Sequence, residues 1–271
     1  MDDSDAYEAV RHACEQIGTT PPASEKVRYD GSIFRWGTSF WGKACDNGDG
    51  TFGGTVGDFR QDIKQNWASR SRKEFTPEEK RAYAERMAAQ REKEQADRQQ
   101  RHAEARTKAD RIWRRSKPAS PDHLYLVNKC IEPHRARESG NFLVLDYRSA
   151  DGILTTIQFI SPTGEKRYLT GGEVAGSSHR FGGHPVCHHL ILAEGFSTGA
   201  TLFEATGSPV AIAGSAGNLL PVAVGFRAKY PAATIIIAAD ADPVGIRSAE
   251  AAAAAVNGAV VLPDFGEVSN V

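Results

Sequence analysis

Two short aliphatic runs, each ending in acid, constrain the fold of this chain more than any other feature. Leu190-Ile191-Leu192-Ala193 stops at Glu194, with Gly195 next; Ile235-Ile236-Ile237-Ala238-Ala239 stops at Asp240, with Asp242 two residues on. Runs this short and this aliphatic read as buried strands of a parallel sheet. Each strand then delivers carboxylates at its C-terminal end, where open α/β sheets take their ligands. Carboxylates gathered there repel one another unless a cation lies between them, and hard oxygen donors suit Mg²⁺. The expectation is a Mg²⁺ site of Glu194, Asp240 and Asp242, used for phosphate chemistry. Acids also follow strands simply as caps for the next helix, but two such clusters on neighbouring strands favour the metal.

Residues 190–262 alternate as βαβαβαβ. Strands are expected at 190–193, 209–213, 234–239 and 259–262, and helices at 198–206, 217–229 and 244–256, with Gly207, Gly214 and Gly258 at element ends. Such alternation forces parallel strands with right-handed crossovers. In the loop from Glu194 to Gly199, Gly195 permits a tight turn and close approach of a ligand. Ser197 or Thr198 is placed to cap the helix, whose free N–H groups favour phosphate.

Residues 122–190 break into short strand-like runs separated by turns, such as 142–147 and 154–160 about Asp151-Gly152, which suggests an antiparallel meander. Lys129, Arg135, Arg137, Arg148, Lys166, Arg167 and Arg180 make this part locally basic. Cations beside an acidic metal site would hold template phosphates while the metal works on a triphosphate. Lys166 and Arg148 are the foremost of them, although any one could be an ordinary surface charge. Upstream, Thr76-Pro77-Glu78-Glu79 marks a helix start. The Ala/Glu/Gln/Arg/Lys-rich stretch that follows, to about Arg115, would make a solvated helix roughly 57 Å long. Residues 1–20 read as a short helix with Ala9, Val10, Ala13 and Ile17 on one face. Residues 27–62 read as a small β-rich module with turns at Asn47-Gly48 and Asp49-Gly50. Its aromatics, Tyr29, Phe34, Trp36, Phe40, Trp41, Phe52 and Phe59, are either the core of a small sheet or a base-stacking surface for single strands. The expected divisions are 1–75, 76–117, 118–189 and 190–271.

Whole-chain properties narrow the class. A net charge of −1 over 271 residues gives no global basic signature, so any nucleic-acid surface must be local. Four cysteines without a CxxC pattern argue for a reducing compartment. The acidic N-terminus has no apolar leader and no run approaches membrane-spanning length, so a cytoplasmic protein without membrane contact is expected. Cys130, His134, His184, Cys187, His188 and His189 lack the spacing of a zinc ribbon or finger, so zinc is not expected.

The motifs also carry a family resemblance. Glu194-Gly195-Phe196-Ser197-Thr198-Gly199-Ala200-Thr201-Leu202 resembles the EGYATGATL motif of conjugative-plasmid and phage primases. Ile236 to Asp242 resembles the DxD strand of the Toprim fold, shared by primases, topoisomerases and some nucleases. Residues 211–219, Lys166-Arg167-Tyr168-Leu169, and Gly48 to Arg60 with Trp67 are similar to further primase segments. The resemblance implies an α/β chain whose C-terminal Toprim domain follows a basic mixed α+β subdomain, a long charged helix and a small β-rich module. It implies a DNA primase, a nucleotidyltransferase of the DNA-directed RNA polymerase type. Such an enzyme makes short RNA primers on single-stranded DNA from nucleoside triphosphates with Mg²⁺, Mn²⁺ able to substitute, and with a replicative helicase as a partner. Glu194, Asp240 and Asp242 would be catalytic and metal-holding; Lys166, Arg167, Arg148, Arg180, Gly195, Thr198 and Asn218 would contact nucleotide or nucleic acid. A Toprim nuclease or a non-catalytic single-strand-binding protein are the alternatives. Phe196 lacks the hydroxyl of the motif's tyrosine. Family members continue past the last strand with an acidic Asn-Asp segment, whereas this chain ends at Val271, so a fragment or shortened form is expected.

Overall fold

The computed structural model describes residues 3–48, 50–61, 63–69, 76–183 and 189–263. The chain divides into two compact units, Met1–Glu92 and Lys93–Val271.

In the first unit a four-stranded antiparallel meander, in the order β1-β2-β3-β4, is built from β1 (Asp30–Trp36), β2 (Phe40–Asp46), β3 (Phe52–Asp58) and β4 (Ile63–Ala68). Helix α1 (Asp3–Gln16) lays Ala6, Val10, Ala13 and Cys14 against one face, where Phe34, Ala44, Val56 and Trp67 complete the core. The β2–β3 turn closes with Asn47 N–H donating to Thr51 O, and Gly48 and Gly50 take φ of 73° and 76° there. Asp49, the other residue expected in this turn, lies outside the described residues. The core role is seen for some of the aromatics. Phe34 and Trp67 are buried, with Tyr29, Trp36 and Phe52 packed on the core, whereas Trp41 and Phe59 lie outside that cluster.

Helix α2 (Pro77–Arg115) begins directly after Thr76. Most of it is exposed, as its composition requires. Its C-terminal part carries one apolar face, on which Ala109, Ile112 and Trp113 pack against Val144, Leu154, Ile157 and Leu169. Those residues belong to a five-stranded antiparallel sheet of β5 (Lys117–Pro118), β6 (Arg137–Ser139), β7 (Phe142–Arg148), β8 (Leu154–Ile160) and β9 (Lys166–Tyr168). Helix α3 (Leu124–Lys129) lies between β5 and β6 in the chain. The expected meander is therefore present.

A second five-stranded sheet follows, made of β10 (His179–Phe181), β11 (His189–Ala193), β12 (Val210–Ile212), β13 (Thr234–Ala238) and β14 (Ala259–Val261). Its spatial order is β10-β12-β11-β13-β14. The helices between strands are α4 (Phe196–Thr206), α5 (Ala216–Lys229) and α6 (Pro243–Val256). The four later strands run parallel, as expected; β10 is an antiparallel edge strand on β12, which the sequence reading did not foresee. Alternate residues of β11 point to opposite faces. Ile191 and Ala193 join the core shared with Phe196 and Ala200 of α4, while Leu190 and Leu192 join the core of α5 and α6. The aliphatic runs are unbroken because both faces of these strands are covered.

Gly214 fixes the chain just beyond β12. Its φ is +83°, and a Cβ there would run into the phenol oxygens of Tyr168 and Tyr147. Left-handed backbone costs an L-residue about 1–2 kcal/mol before any clash. Gly214→Ala is therefore expected to destabilise the chain by about 2 kcal/mol, read as a lower urea midpoint at unchanged slope.

Candidate active site

β11 and β13 are neighbours in parallel register, with Ala193 opposite Ala238. The chain leaves both strands side by side, Glu194 one residue past β11 and Asp240 two past β13. Helix α4 then departs to one face of the sheet and α6 to the other, because their cores lie on opposite sides. Adjacent strands with helices diverging in this way open a crevice at their C-terminal ends, the place where α/β sheets bind ligands. Glu194 and Asp240 both stand there, half-buried.

The three acids share one electrostatic field. Burial, followed by the charges of Asp240 and Asp242, pushes the Glu194 carboxyl above its ordinary range; the Ala216 backbone N–H and Lys166 pull the other way. The geometry differs from a closed three-acid cage. Among the described residues, no group of three His, Cys, Asp or Glu side chains is arranged to hold a metal ion. Asp242 also has a structural duty. Its Oδ1 accepts 2.9 Å hydrogen bonds from the N–H groups of Val244 and Gly245, making Asp242 the N-cap of α6. The capping role weighed for strand-end acids is thus real for Asp242, and no described hydrogen bond engages the Asp240 carboxylate. Oxygen-only donors that raise one another's proton affinity still fit a hard divalent ion, which keeps several waters of its own.

Lys166 Nζ lies 3.6 Å from where a Cβ on Gly195 would sit, and Thr198 Oγ1 lies 3.7 Å from that point. Lys166, Gly195 and Thr198 are thereby brought to the loop that carries Glu194. Helix α4 starts at Phe196, two residues before the expected 198, with extended Gly195 as its N-cap and no side-chain cap hydrogen bond. Neither Ser197 nor Thr198 caps it. Phe196 is fully buried against His179 and Phe181, which accounts for a ring without a hydroxyl at this position.

The other expected contacts lie elsewhere. Asn218 is buried; its Oδ1 accepts from Gly176 N, and its Nδ2 donates to Ser177 O and Ala213 O, so its amide ties residues 176–177 to Ala213. Arg167 stacks over Phe142 and Phe159, at 4.8 and 5.6 Å from their ring centroids. Arg148 and Arg180 line a separate cavity of about 500 Å³ with Arg135, Asp146, Lys229 and Tyr230. There Arg148 bonds Asp146 at 2.6 Å and Gly152 O at 3.0 Å, and Arg180 bonds Ser149 O and Ala150 O. Arg135 belongs to the expected basic set without being singled out, and Lys229 does not; packing between distant segments brings Lys229 here. Of the residues weighed for zinc, Cys130 is the left-handed C-cap of α3, His134 bonds Glu204 at 2.7 Å, and His189 opens β11. His184, Cys187 and His188 lie outside the described residues.

Residues 189–266 match the Toprim domain family model. The chain carries a Toprim domain. It is 29% identical over 240 residues to a DNA primase TraC of Escherichia coli, an alignment covering 82% of this chain and 22% of that protein. A second DNA primase TraC of Escherichia coli is 35% identical over 133 residues, covering 45% of this chain and 9% of its own length. The chain thus spans about a fifth or less of the curated relatives it matches. Among solved structures, the primase fragment of the bacteriophage T7 primase-helicase protein aligns with TM-score 0.42 and 16% identity, over 55% of this chain and 70% of that one. The Toprim match opens at β11, so both strand-end acid clusters fall within it. No helix of the described residues is long and apolar enough to cross a membrane.

Proposed function

We propose that this chain is the nucleotidyl-transfer core of a DNA primase, which joins nucleoside triphosphates into short RNA on single-stranded DNA. One observation carries the reading: Glu194 and Asp240 emerge side by side from paired parallel strands, at the point where α4 and α6 diverge. The homology to TraC supports the same reading. Glu194, Asp240 and the outward oxygen of Asp242 would hold Mg²⁺, which supplies charge neutralisation for a triphosphate. Glu194 would serve either as a ligand of that ion or as the group that accepts the proton of an attacking 3′-hydroxyl. Lys166, beside Gly195 and Thr198, would neutralise phosphate oxygens at the N-terminus of α4. Arg148 and Arg180, with Arg135 and Lys229, leave their cavity net positive and would meet template phosphates weakly, since Asp146 and backbone carbonyls already engage them. Arg167, next to Lys166 on β9 but stacked over Phe142 and Phe159, would contribute at most a peripheral contact.

The test is a single-stranded template with labelled nucleoside triphosphates and Mg²⁺. Short RNA that requires both nucleotides and metal is the expected product. Strand scission without nucleotides would replace this reading with a nuclease, and binding without either product would replace it with a non-catalytic scaffold.

A further inference from the structure

We infer that the outer face of the N-terminal sheet, centred on Trp41, is a docking surface for single-stranded DNA. Residues directly opposite one another in a sheet share a face. The pairs Arg35↔Trp41, Trp41↔Gly57 and Gly57↔Lys64 therefore place Arg35, Trp41, Gly57 and Lys64 in one row across all four strands. The next row on the same face is Ile33, Lys43, Thr55 and Asn66. The intervening row, Phe34, Gly42, Val56 and Gln65, belongs to the opposite face, where Phe34 and Val56 join the core with α1. The outer face thus carries three cations and no acid in its two central rows.

Its centre is aromatic. Trp41 leans on Gly57, where a Cβ would come within 2.8 Å of the indole Nε1, so the glycine makes room for the ring. Beside it is a depression of about 580 Å³ lined by Ile33, Arg35, Phe40, Trp41 and Phe59. Ile33 and Phe59 are 59% and 58% exposed, a large apolar exposure for so small a module. No described hydrogen bond or ion pair engages Arg35 or Lys43.

Exposed aromatic and aliphatic groups interleaved with cations match a strand of unpaired bases. The bases stack on the rings while the phosphates meet the cations. A folded protein partner would be expected to cover a more continuous apolar patch, and duplex DNA hides its base faces. Three strand spacings from Arg35 to Lys64 span roughly 14 Å, enough to bridge more than one phosphate. This surface lies in the first unit and does not depend on the acidic crevice.

The experiment measures binding of the full chain to fluorescein-labelled oligo(dT) in EDTA, which keeps the crevice free of divalent ions. Arg35→Glu with Lys64→Glu, both exposed, is expected to raise Kd about 10-fold or more and to flatten the log–log salt slope by about 1.4, the loss of two phosphate contacts. Trp41→Ala, checked by its unfolding midpoint, should weaken binding by about 10-fold, and 5-iodouracil in the oligonucleotide should cross-link to Trp41 or Phe59. An unchanged Kd and slope in the charge-reversal variant, cross-links confined to residues beyond 93, or an equal loss of duplex binding would each overturn the inference. Glu194→Gln with Asp240→Asn should leave these cross-links intact. Failure here would therefore leave the proposed primer synthesis standing, and failure of primer synthesis would leave this surface standing.

Discussion

Asp240→Asn is expected to lower RNA primer yield at least about 10²-fold, the scale on which loss of a single preorganised charge-stabilising group acts, while leaving single-strand binding in EDTA unchanged. Asn is nearly isosteric, so the change tests charge and not packing. Asp240 has no described structural duty, and its charge is among those that raise the proton affinity of Glu194. Removing that charge relieves repulsion inside a half-buried crevice. The variant should therefore be at least as stable as the parent, a separation of activity from stability typical of functional acids. Asp242 supplies the contrast. As N-cap of α6 it has structural work, so Asp242→Ala should cost about 1 kcal/mol of stability as well as activity. Asp242→Asn keeps an amide oxygen for Val244 and Gly245 and should lose activity alone. If Asp240→Asn still made primers at the parental yield, the catalytic assignment would fall.

The crevice was legible because its signal is local. A run of β-branched residues buried on both faces needs no knowledge of its partners, and an acid at its end is placed by the strand itself. The same locality set the helices that follow within two residues, with the Ala-rich run of α6 beginning at Pro243 where the sequence turns. What required the fold was any pairing between distant segments. Strand β10 is three residues long, and only its ladder with Val210–Ile212 makes it a strand. Arg148 and Arg180 looked like free phosphate ligands until the structure gave them Asp146 and the carbonyls of Ser149 and Ala150. One part of that network could have been read earlier. Asp146 and Arg148 are two apart on a strand and therefore share a face. The Arg35–Trp41–Lys64 row was hidden for the opposite reason: it depends on the register of three successive hairpins, which aromatic content does not specify. Seven aromatics in 27–62 could not say which point inward; α1 decides that by covering one face.

Asp146→Asn is expected to destabilise the Toprim-containing unit by about 3 kcal/mol, the loss that follows when one partner of a buried charge network is removed. For a unit of this size that lowers Tm by roughly 6–12 °C. Asp146 and His179 are essentially solvent-free, and His179 Nδ1 bonds Asp146 Oδ1 at 2.8 Å. Both atoms facing Nδ1 are acceptors, Asp146 Oδ1 and the Asp146 carbonyl, so Nδ1 carries the proton. Arg148 and Arg135 reach Oδ2 at 2.6 and 3.1 Å. An asparagine amide could keep one acceptor for His179 but would turn an N–H₂ toward Arg148, donor against donor. Arg135 is half-exposed, so Arg135→Met should cost well under 1 kcal/mol, which makes Asp146 the keystone and not the ion pairs counted singly. The pH dependence gives a second reading. Burial pushes the Asp146 carboxyl up, but the hydrogen bond and charge of His179, with Arg148 and Arg135, outweigh it and hold the group at about 2, below the ordinary aspartate value near 3.9. A depressed value means stability that is complete above the ordinary value and is lost as pH falls through the folded one. The Tm difference between parent and Asp146→Asn should therefore be constant above about pH 5 and shrink between about pH 4 and 2. A difference that stayed flat to pH 2, or that was absent at neutral pH, would show that the carboxylate does not hold β7 to β10.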